Sequence, residues 1–295
     1  MCGSRYPAAV VPPLDFDFDF RARTPAEPLG RAVASIWYAR GRVPYRRERI
    51  APTGSSVAVI VLGDPIIETA LGPRGGSVVA DRGFLIGPHD RPVINEPTGE
   101  TFAVGVVTTP VGCAAAFGVP PVSVAGRVVP IDEAWGGAAA IRTDLVAMGD
   151  PEAMLDRLAG ALDASLDLAD PGLDRCARAV EILEADPLVP IAEVARAVGL
   201  SHGHLDREFR RIVGLSPRQL ARQRRVARLL AGIDARGDVA WADLAAELGW
   251  ADQSHLIRDV KRHTGVTPSA YLAAQRAWRT GGDPADAAGF VPETM

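Results

Sequence analysis

The chain has 295 residues, a formal net charge of −4, 47% hydrophobic residues and 23% charged residues. This length suits two domains better than one, and the composition excludes collagen-like and largely disordered chains. The longest apolar run, Val57–Leu62, is too short to cross a bilayer, and the first residues lack the basic start and apolar core of a secretory signal. We therefore expect a cytoplasmic chain without a membrane partner.

Short runs of β-branched and aromatic residues, bounded by Gly, Pro, Asp or Asn, dominate the chain from Trp37 to Pro130. Repeated short strands favour a sandwich or barrel over a wound α/β sheet. Helix formers follow and predict helices at Trp135–Met148 and Pro151–Leu168. The predicted strands are Ile36–Arg40, Val57–Leu62, Val78–Asp81, Phe84–Ile86, Phe102–Val107 and Val122–Val124.

Asp170-Pro171-Gly172 interrupts the helical pattern and marks the best domain boundary. Beyond it the periodicity predicts about seven helices with short connections. Residues 281–295 have little to pack against and are expected to fray. The predicted fold class is α+β multidomain. A mostly-β barrel or sandwich-like domain with trailing helices covers residues 1–170, an all-α domain of paired helix-turn-helix units covers residues 171–280, and a flexible tail covers residues 281–295.

Charge differs between these parts. Residues 1–170 carry 15 Arg against 20 acidic residues, a net −5, whereas residues 171–280 carry 16 Arg and 1 Lys against 13 acidic residues, a net +4. The tail adds 3 acidic residues. A basic part beside an acidic part is expected when only one of them approaches phosphate.

Cysteine and histidine are placed in a way that disfavours metal and redox chemistry. The 3 cysteines lie far apart, so neither a metal-like spacing nor a disulfide framework is indicated. Of the 5 histidines, only His89 precedes residue 200, so the N-terminal part lacks the imidazoles of a metal centre. We expect no metal, no cofactor and no catalytic residue, and hence a chain that is not an enzyme.

The C-terminal part contains an internal repeat. One copy begins at Ile191 and the other at Trp241, and Gly199 in the first matches Gly249 in the second. The later matched positions are one residue farther apart, so the second turn is one residue longer. These later pairs are Leu205 with Leu256, Gly214 with Gly265, and Pro217 with Pro268.

Each copy has the pattern of a helix, a glycine turn and a second helix. Ser201 and Asp252 are good N-caps for the second helices. In the first copy Leu205, Phe209 and Ile212 fall on one helical face, which leaves polar side chains on the other. A single copy could be an αα-hairpin that serves packing alone. Two copies with matched stop, cap, core and closing residues favour a motif that fills a DNA major groove.

Two such units in tandem resemble the DNA-binding domain of the AraC/XylS family of bacterial regulators. The second copy carries the most diagnostic stretch, which runs through residues 249–261, then Gly265-Val266-Thr267-Pro268 and Tyr271. The resemblance covers roughly residues 171–275. The sequence departs from the family's usual residues at Leu256, Asp259, Val260 and Leu272.

The resemblance implies that the second helix of each unit enters the major groove, about one helical turn of DNA apart. Arg207 and Arg258 then suit guanine, and Gln253 suits adenine. Arginines expected at phosphates are Arg210, Arg211, Arg222, Arg224 and Arg225, each with a solvated helix face as the alternative. The complete predicted DNA-binding set is His202, Gly203, Asp206, Arg207, Arg210, Arg211, Arg222, Arg224, Arg225, Gln253, Ser254, His255, Ile257, Arg258 and Arg262.

The N-terminal part carries a less specific pattern. Trp37 on an early strand, Pro52-Thr53-Gly54 before the next, and residues 127–132 leading to Trp135-Gly136 look like a sensor-type domain found fused to such DNA-binding modules. Its interior is either a pocket for a small apolar effector or a solid core for dimerisation, and no effector-binding residue is assigned. The expected partner is double-stranded DNA. RNA polymerase, a small-molecule effector and a second copy of the chain stay open as further partners.

The leading interpretation is a sequence-specific transcriptional regulator. Two alternatives stay open: an N-terminal enzymatic or repair activity fused to a DNA-binding module, and an interaction adaptor that does not bind DNA. A DNA-alkylation sensor needs a cysteine-rich metal cluster, which this sequence lacks. An adaptor would show no salt-dependent affinity for any duplex.

Overall fold

The computed structural model describes residues 18–233, 239–278 and 290–293. Two antiparallel sheets form the N-terminal part. The six-stranded sheet has the order β1 (Phe18–Arg23), β2 (Val33–Gly41), β9 (Thr101–Thr108), β4 (Val57–Val61), β7 (Gly83–Ile86) and β10 (Val128–Pro130). The five-stranded sheet has the order β11 (Phe290–Glu293), β3 (Arg47–Ile50), β8 (Val93–Pro97), β5 (Ile66–Ala70) and β6 (Ser77–Ala80).

The six-stranded sheet is covered on both faces, which explains the unbroken apolar run of β4. Val59 and Val61 pack toward the five-stranded sheet in one apolar cluster. Ala58 and Ile60, which alternate with them, pack instead in the cluster that contains the helices. Because successive strand residues point to opposite faces, a strand buried on both sides reads as continuously apolar rather than alternating.

Five helices follow the strands: α1 (Gly112–Phe117), α2 (Pro121–Val124), α3 (Ile131–Ala134), α4 (Ala138–Val146) and α5 (Pro151–Ser165). The predicted strand Val122–Val124 is wrong, because this segment is α2. Pro121 occupies the first helical turn, where its fixed φ suits a helix and its missing N–H costs nothing. The helices predicted at Trp135–Met148 and Pro151–Leu168 are present with shorter bounds, as α4 and α5.

Seven helices follow residue 171 in the described ranges, which agrees with the predicted count: α6 (Gly172–Ala185), α7 (Ile191–Ala197), α8 (His202–Val213), α9 (Pro217–Gly232), α10 (Trp241–Glu247), α11 (Gln253–Thr264) and α12 (Pro268–Trp278). The α+β fold class, with a mostly-β N-terminal part and an all-α C-terminal part, is therefore confirmed. Within these ranges no helix combines the length and apolar character that a membrane span requires.

Two apolar clusters divide the helices. The larger one contains Leu158 of α5, Leu183 of α6 and Phe209 of α8, so it passes across residue 170 without a break. The smaller one contains Leu230 of α9 and Leu256 of α11. The first repeat thus shares a core with the N-terminal helices, whereas the second repeat has a core of its own.

The tail departs from the sequence-based expectation. Residues 290–293 form β11, which pairs antiparallel with β3, and Val291 is buried in the smaller cluster. The expectation of a flexible tail is wrong for these four residues, because the backbone of the edge strand β3 offers them hydrogen-bond partners. The rest of the predicted tail lies outside the described residues.

Candidate nucleic-acid interface

Each repeat folds as one helix-turn-helix unit. The first unit consists of α7 and α8, and the second unit consists of α10 and α11. Ser201 caps α8 by accepting a hydrogen bond from the His204 N–H at 3.3 Å, and Asp252 caps α11 by accepting one from the His255 N–H at 2.6 Å. These caps satisfy otherwise unpaired donors at the helix start. The N-caps predicted from sequence are therefore present in both units.

Both of the second helices end on a glycine in the left-handed conformation. Gly214 has φ 79° and Gly265 has φ 81°. A Cβ atom at Gly214 would lie 2.9 Å from Pro88 Cγ, and one at Gly265 would lie 3.0 Å from Pro92 Cγ. Both the backbone conformation and the neighbouring proline therefore require glycine at these two positions.

The inner faces of α8 and α11 are apolar and buried, so each helix presents the opposite face outward. Leu205, Phe209 and Ile212 of α8 are buried, as are Leu256 and Val260 of α11. The outward face of α8 carries the exposed residues His202, Gly203, Arg207 and Arg210 and the half-buried Asp206. The outward face of α11 carries the exposed residues Gln253, Ser254, Arg258 and Lys261 and the half-buried His255 and Ile257.

Charge on the face of α8 is partly paired. Arg210 Nε donates to Asp206 Oδ2 at 2.9 Å, one helical turn away. Arg211 donates to Asp170 from both terminal nitrogens, one of them at 3.1 Å, and these bonds hold the pKa of Asp170 below its usual value. All three residues Asp206, Arg210 and Arg211 remain at least 40% exposed, so phosphate can compete for both guanidinium groups.

Asp259 does not add charge to the outward face of α11. It is buried and accepts a hydrogen bond from Trp250 Nε1 at 3.0 Å, while His255 Nε2 lies 3.5 Å from the same carboxylate. The aspartate at this position, where the sequence departs from the family's usual residue, therefore holds Trp250 of the turn to α11.

Two arginines predicted to meet phosphate are half-buried and bonded within the helical domain. Arg224 donates to Glu184 Oε1 of α6 at 2.6 Å, and its side chain is 14% exposed. Arg225 stacks on the Trp250 ring at 3.8 Å and donates Nε to Leu248 O at 3.0 Å. Both guanidinium groups are bonded within the helical domain, so contact with a DNA phosphate would require them to leave these partners.

Arg222 and Arg262 are also drawn away from the outward faces. Both donate to Oδ2 of Asp90, which belongs to the N-terminal part, at 3.3 Å and 2.5 Å. Gln219 Nε2 donates to the same oxygen at 3.0 Å. Burial opposes ionisation of Asp90, but these donors outweigh it and hold its pKa below the usual value. Arg222 and Arg262, both predicted as DNA contacts, therefore also link the helical domain to the N-terminal part.

Sequence reasoning missed Lys261. It is exposed on α11 and has no ion pair among the described residues, whereas the neighbouring Arg262 turns toward Asp90. The spacing from Ser254 through Ile257 to Lys261 follows one helical face. This spacing places Lys261 on the outward face of α11.

Residues 87–92, which we name the clasp loop, connect the N-terminal sheets to both units. Pro88 packs on Gly214 at the end of α8, and Pro92 packs on Gly265 at the end of α11. Between them Asp90 binds α9 and α11, and Gln223 Nε2 donates to His89 O at 2.7 Å. One loop thus contacts equivalent positions of the two units.

Two buried histidines lie at this junction. His89 Nδ1 is 2.8 Å from Gly87 O, and His263 of α11 is buried nearby. Burial, reinforced by His89, Arg224 and Arg222, lowers the pKa of His263 to about 3. His263 is therefore neutral at physiological pH, and its protonation would place another positive charge beside those arginines.

Family models match segments in both parts of the chain. A family model described as a helix-turn-helix domain matches residues 194–274. A second model, described as a domain of unknown function (DUF6597), matches residues 21–130. No curated protein matches.

Several solved structures are similar to this chain. ToxT from Vibrio cholerae is 12% identical over 90% of this chain and 99% of its own, with a TM-score of 0.43. The DNA-binding domain of AdpA, solved with a target DNA, is 29% identical over 39% of this chain and 100% of its own, with a TM-score of 0.30. A probable AraC family regulator from Rhodopseudomonas palustris is 26% identical over 36% of this chain and 99% of its own, with a TM-score of 0.31.

The paired units, their matched caps and glycines, and the family match at residues 194–274 agree with one another. The C-terminal part of the chain therefore contains a helix-turn-helix domain at residues 194–274, and the N-terminal part matches the DUF6597 domain at residues 21–130.

Proposed function

We propose that this protein is a transcriptional regulator of the AraC type, which binds a specific DNA sequence by placing α8 and α11 in two adjacent major-groove segments. The observation that carries the proposal is the equivalent construction of the two helices. Each has an N-cap, a buried apolar face, a polar outward face and a terminal glycine. A capped helix with one polar exposed face is the element that reads base edges in helix-turn-helix proteins.

The two helices are proposed to share recognition unequally. Gln253, Ser254 and Arg258 give α11 three exposed polar side chains at its N-terminal half. The equivalent part of α8 has Gly203, which has no side chain, so Arg207 is its main base contact. We assign Arg207 and Arg258 to guanine and Gln253 to adenine. Arg210, Arg211 and Lys261 are assigned to phosphates.

The N-terminal domain is proposed to control DNA reading through the clasp loop, in answer to a small molecule or to pairing with a second copy. The support is the contact of this one loop with the ends of both α8 and α11. A ligand that changed the loop would act on both reading helices at once. Contact with RNA polymerase stays a proposal without a located surface.

Selection of bound fragments from genomic DNA tests the function directly. We expect an enriched motif with two half-sites about one helical turn apart. In gel-shift titrations with that motif, Arg207→Ala should lose about 1–3 kcal/mol and relax one base position. Arg178→Ala is the matched control, because Arg178 is equally an exposed helical arginine but pairs with Glu181 on α6 at 2.9 Å.

Two outcomes would overturn the proposal. Failure to enrich any motif, together with the absence of salt-dependent affinity for any DNA duplex, would favour the interaction adaptor. Equal loss of affinity in Arg207→Ala and Arg178→Ala would remove α8 from base reading. Turnover of a substrate by the full-length protein, with an enriched motif, would instead favour the fused N-terminal activity.

A further inference from the structure

A basic cleft of about 580 Å³ separates α11 from the N-terminal domain. Arg91, which follows Asp90 in the clasp loop, lines one side. Arg258, Lys261 and Arg262 of α11 and Arg222 of α9 line the rest of its cationic surface. The cleft therefore joins the reading face of α11 to a side chain of the N-terminal domain, which the DNA-binding pattern in the sequence did not include.

Positive charge in the cleft is only partly compensated. Five cationic side chains and one carboxylate, that of Asp259, line the cleft. With Asp90, which pairs with Arg222 and Arg262 from outside the lining, this leaves a formal excess of three positive charges. Asp90 is occupied by Arg222 and Arg262. Among the described residues, Arg91, Arg258 and Lys261 have no ion pair. Three unpaired cations around one cleft favour an anionic occupant.

The position of Arg91 is fixed by a glycine. A Cβ atom at Gly72 would lie 3.1 Å from Arg91 Cδ and 3.6 Å from Arg91 Nε. Gly72 has φ 140°, so its backbone also favours glycine. The stem of Arg91 thus lies across the backbone of Gly72, in the turn after β5, and the side chain is half-buried. This packing limits the freedom of the guanidinium and reduces the entropy lost on binding.

We infer that this cleft holds a phosphate of the DNA backbone and that Arg91 is a DNA contact made by the N-terminal domain. The inference rests on the proposed function, because it requires α11 to lie in a major groove. A helix in that groove, which is about 12 Å wide, has a phosphate backbone along each side. The cleft follows the side of α11 that faces the N-terminal domain, where one of those backbones passes.

The contact would couple the two domains on DNA. Arg91 and Asp90 are neighbours in the clasp loop, and Asp90 binds Arg262 of the same helix. A phosphate held by Arg91 and Lys261 together therefore bridges the N-terminal domain and the second unit. Any movement of the clasp loop would then change DNA affinity without a change in α11 itself.

The salt dependence of binding to the selected duplex measures this contact. Each phosphate contact contributes about 0.9 to the slope of log Kobs against log salt. Arg91→Ala should lower the magnitude of the slope by about 1 and weaken binding about eightfold near 0.1 M salt. Arg91→Lys should keep the slope, because an ammonium also binds phosphate. The sequence preference should be unchanged in both variants.

Arg21→Ala is the control, because Arg21 is an exposed arginine of the same domain on β1, at the far edge of the other sheet. Far-ultraviolet circular dichroism confirms that each variant is folded. Equal slopes for Arg91→Ala, Arg21→Ala and wild type would overturn the inference. Wild-type protein that binds no duplex would instead refute the proposed function.

A second measurement separates DNA phosphate from a free anion. Inorganic phosphate is titrated into wild type and Arg91→Ala in thermal unfolding experiments. Phosphate protection that depends on Arg91, together with an unchanged DNA slope, would assign the cleft to a small phosphate-bearing ligand and overturn the DNA contact. A reduced DNA slope in Arg91→Ala supports the inference whether or not free phosphate binds.

Discussion

The first helix-turn-helix unit packs into the same apolar cluster as helices α1 to α6, whereas the second unit packs into a separate cluster with α9, α12 and β11. Phe209 of α8 represents the first arrangement and Leu256 of α11 the second. The two units have the same local construction, so this difference in surroundings comes from the rest of the chain. Internal repetition therefore predicts the shape of a unit but not how firmly it is held.

The second unit shares no apolar cluster with the N-terminal sheets and helices, and polar contacts and strand pairing join its part of the chain to them. Arg262 binds Asp90, and β11, whose Val291 lies in the second cluster, pairs with β3 at the sheet edge. A continuous apolar core opens cooperatively, while elements joined by fewer apolar contacts open at lower free energy. We therefore expect the second unit to open locally at a lower free energy than the first unit.

Core truncation gives the largest expected contrast between the units. Phe209→Ala should destabilise the protein by about 3–5 kcal/mol and lower protection of the N-terminal sheets as well as α8, because the core is shared. Leu256→Ala should cost about 2–5 kcal/mol, with the loss confined to residues 226–278. Urea unfolding and hydrogen exchange by mass spectrometry measure both effects. Equal loss of protection in β2 and α11 on Leu256→Ala would contradict separate cores.

Asp90→Ala should give the next largest effect. Its side chain is 16% exposed and binds two arginines that are about one-third exposed. Removing the carboxylate leaves both guanidinium groups half-buried without this partner, which should cost about 2–3 kcal/mol. Hydrogen exchange should rise in α11 more than in α8, because α8 keeps its apolar core.

Asp144→Ala is the control for Asp90→Ala. Asp144 also binds an arginine, Arg157, at 2.7 Å, but the pair is exposed and lies in α4 and α5. An exposed pair should contribute no more than about 1 kcal/mol. If α8 and α11 lost protection equally in Asp90→Ala, the clasp loop would not hold the second unit selectively.

Much of the helical domain was predictable from local sequence. N-caps, terminal glycines and apolar spacing are local features, and they located α7, α8, α10 and α11. The charged strand β3, with sequence Arg-Glu-Arg-Ile, was not predicted, because its alternation carries no apolar signal. The strands β1, β5, β8 and β10 were also missed. Their pairing depends on partners that no single segment reveals.

The site was predictable in its exposed residues and less so in its arginines. Arg207, Arg258 and Gln253 lie on outward faces, as helical spacing indicates. Arg224 and Arg262 do not, because their partners Glu184 and Asp90 are 40 and 172 residues away in sequence. Composition shows that an arginine is charged, but only the tertiary structure shows whether that charge is already paired. Contact of the exposed residues with DNA stays a prediction.

Mild acid should lower the free energy of local opening in the second unit more than in the first unit. His263 has a pKa of about 3 in the folded chain against about 6.5 when unfolded. Its contribution to stability is therefore present above pH 6.5 and is lost as the pH falls toward 3. Local opening of the second unit should become easier by about 2 kcal/mol between pH 7 and pH 5. Asp90 stays ionised in this window because its pKa is lowered.

Hydrogen exchange of α11 and α8, corrected for intrinsic exchange rates, measures this local effect. Global unfolding is less informative, because burial raises the pKa of Glu48 in the sandwich to about 7. Its folded pKa is above the unfolded value, so its contribution to stability increases as the pH falls through 7 and opposes that of His263. A parallel loss of protection in α8 and α11 at pH 5 would contradict a selective release of the second unit.

The smallest expected effect is that of Arg225→Ala, which tests whether Arg225 stabilises the fold or contacts DNA. Arg225→Ala removes the stacking on Trp250 and the hydrogen bond to Leu248 O, so it should cost about 1 kcal/mol and raise exchange in α10 and α11. Arg228→Ala is the matched change on the same helix, because Arg228 donates to Glu184 O and Ala185 O and should affect α6 instead. Since Arg225 is bonded inside the domain, the salt slope of DNA binding should stay at the wild-type value in Arg225→Ala. A slope reduced by about 1 would return Arg225 to the phosphate contacts, and it would mean that the second unit rearranges around Trp250 when DNA binds.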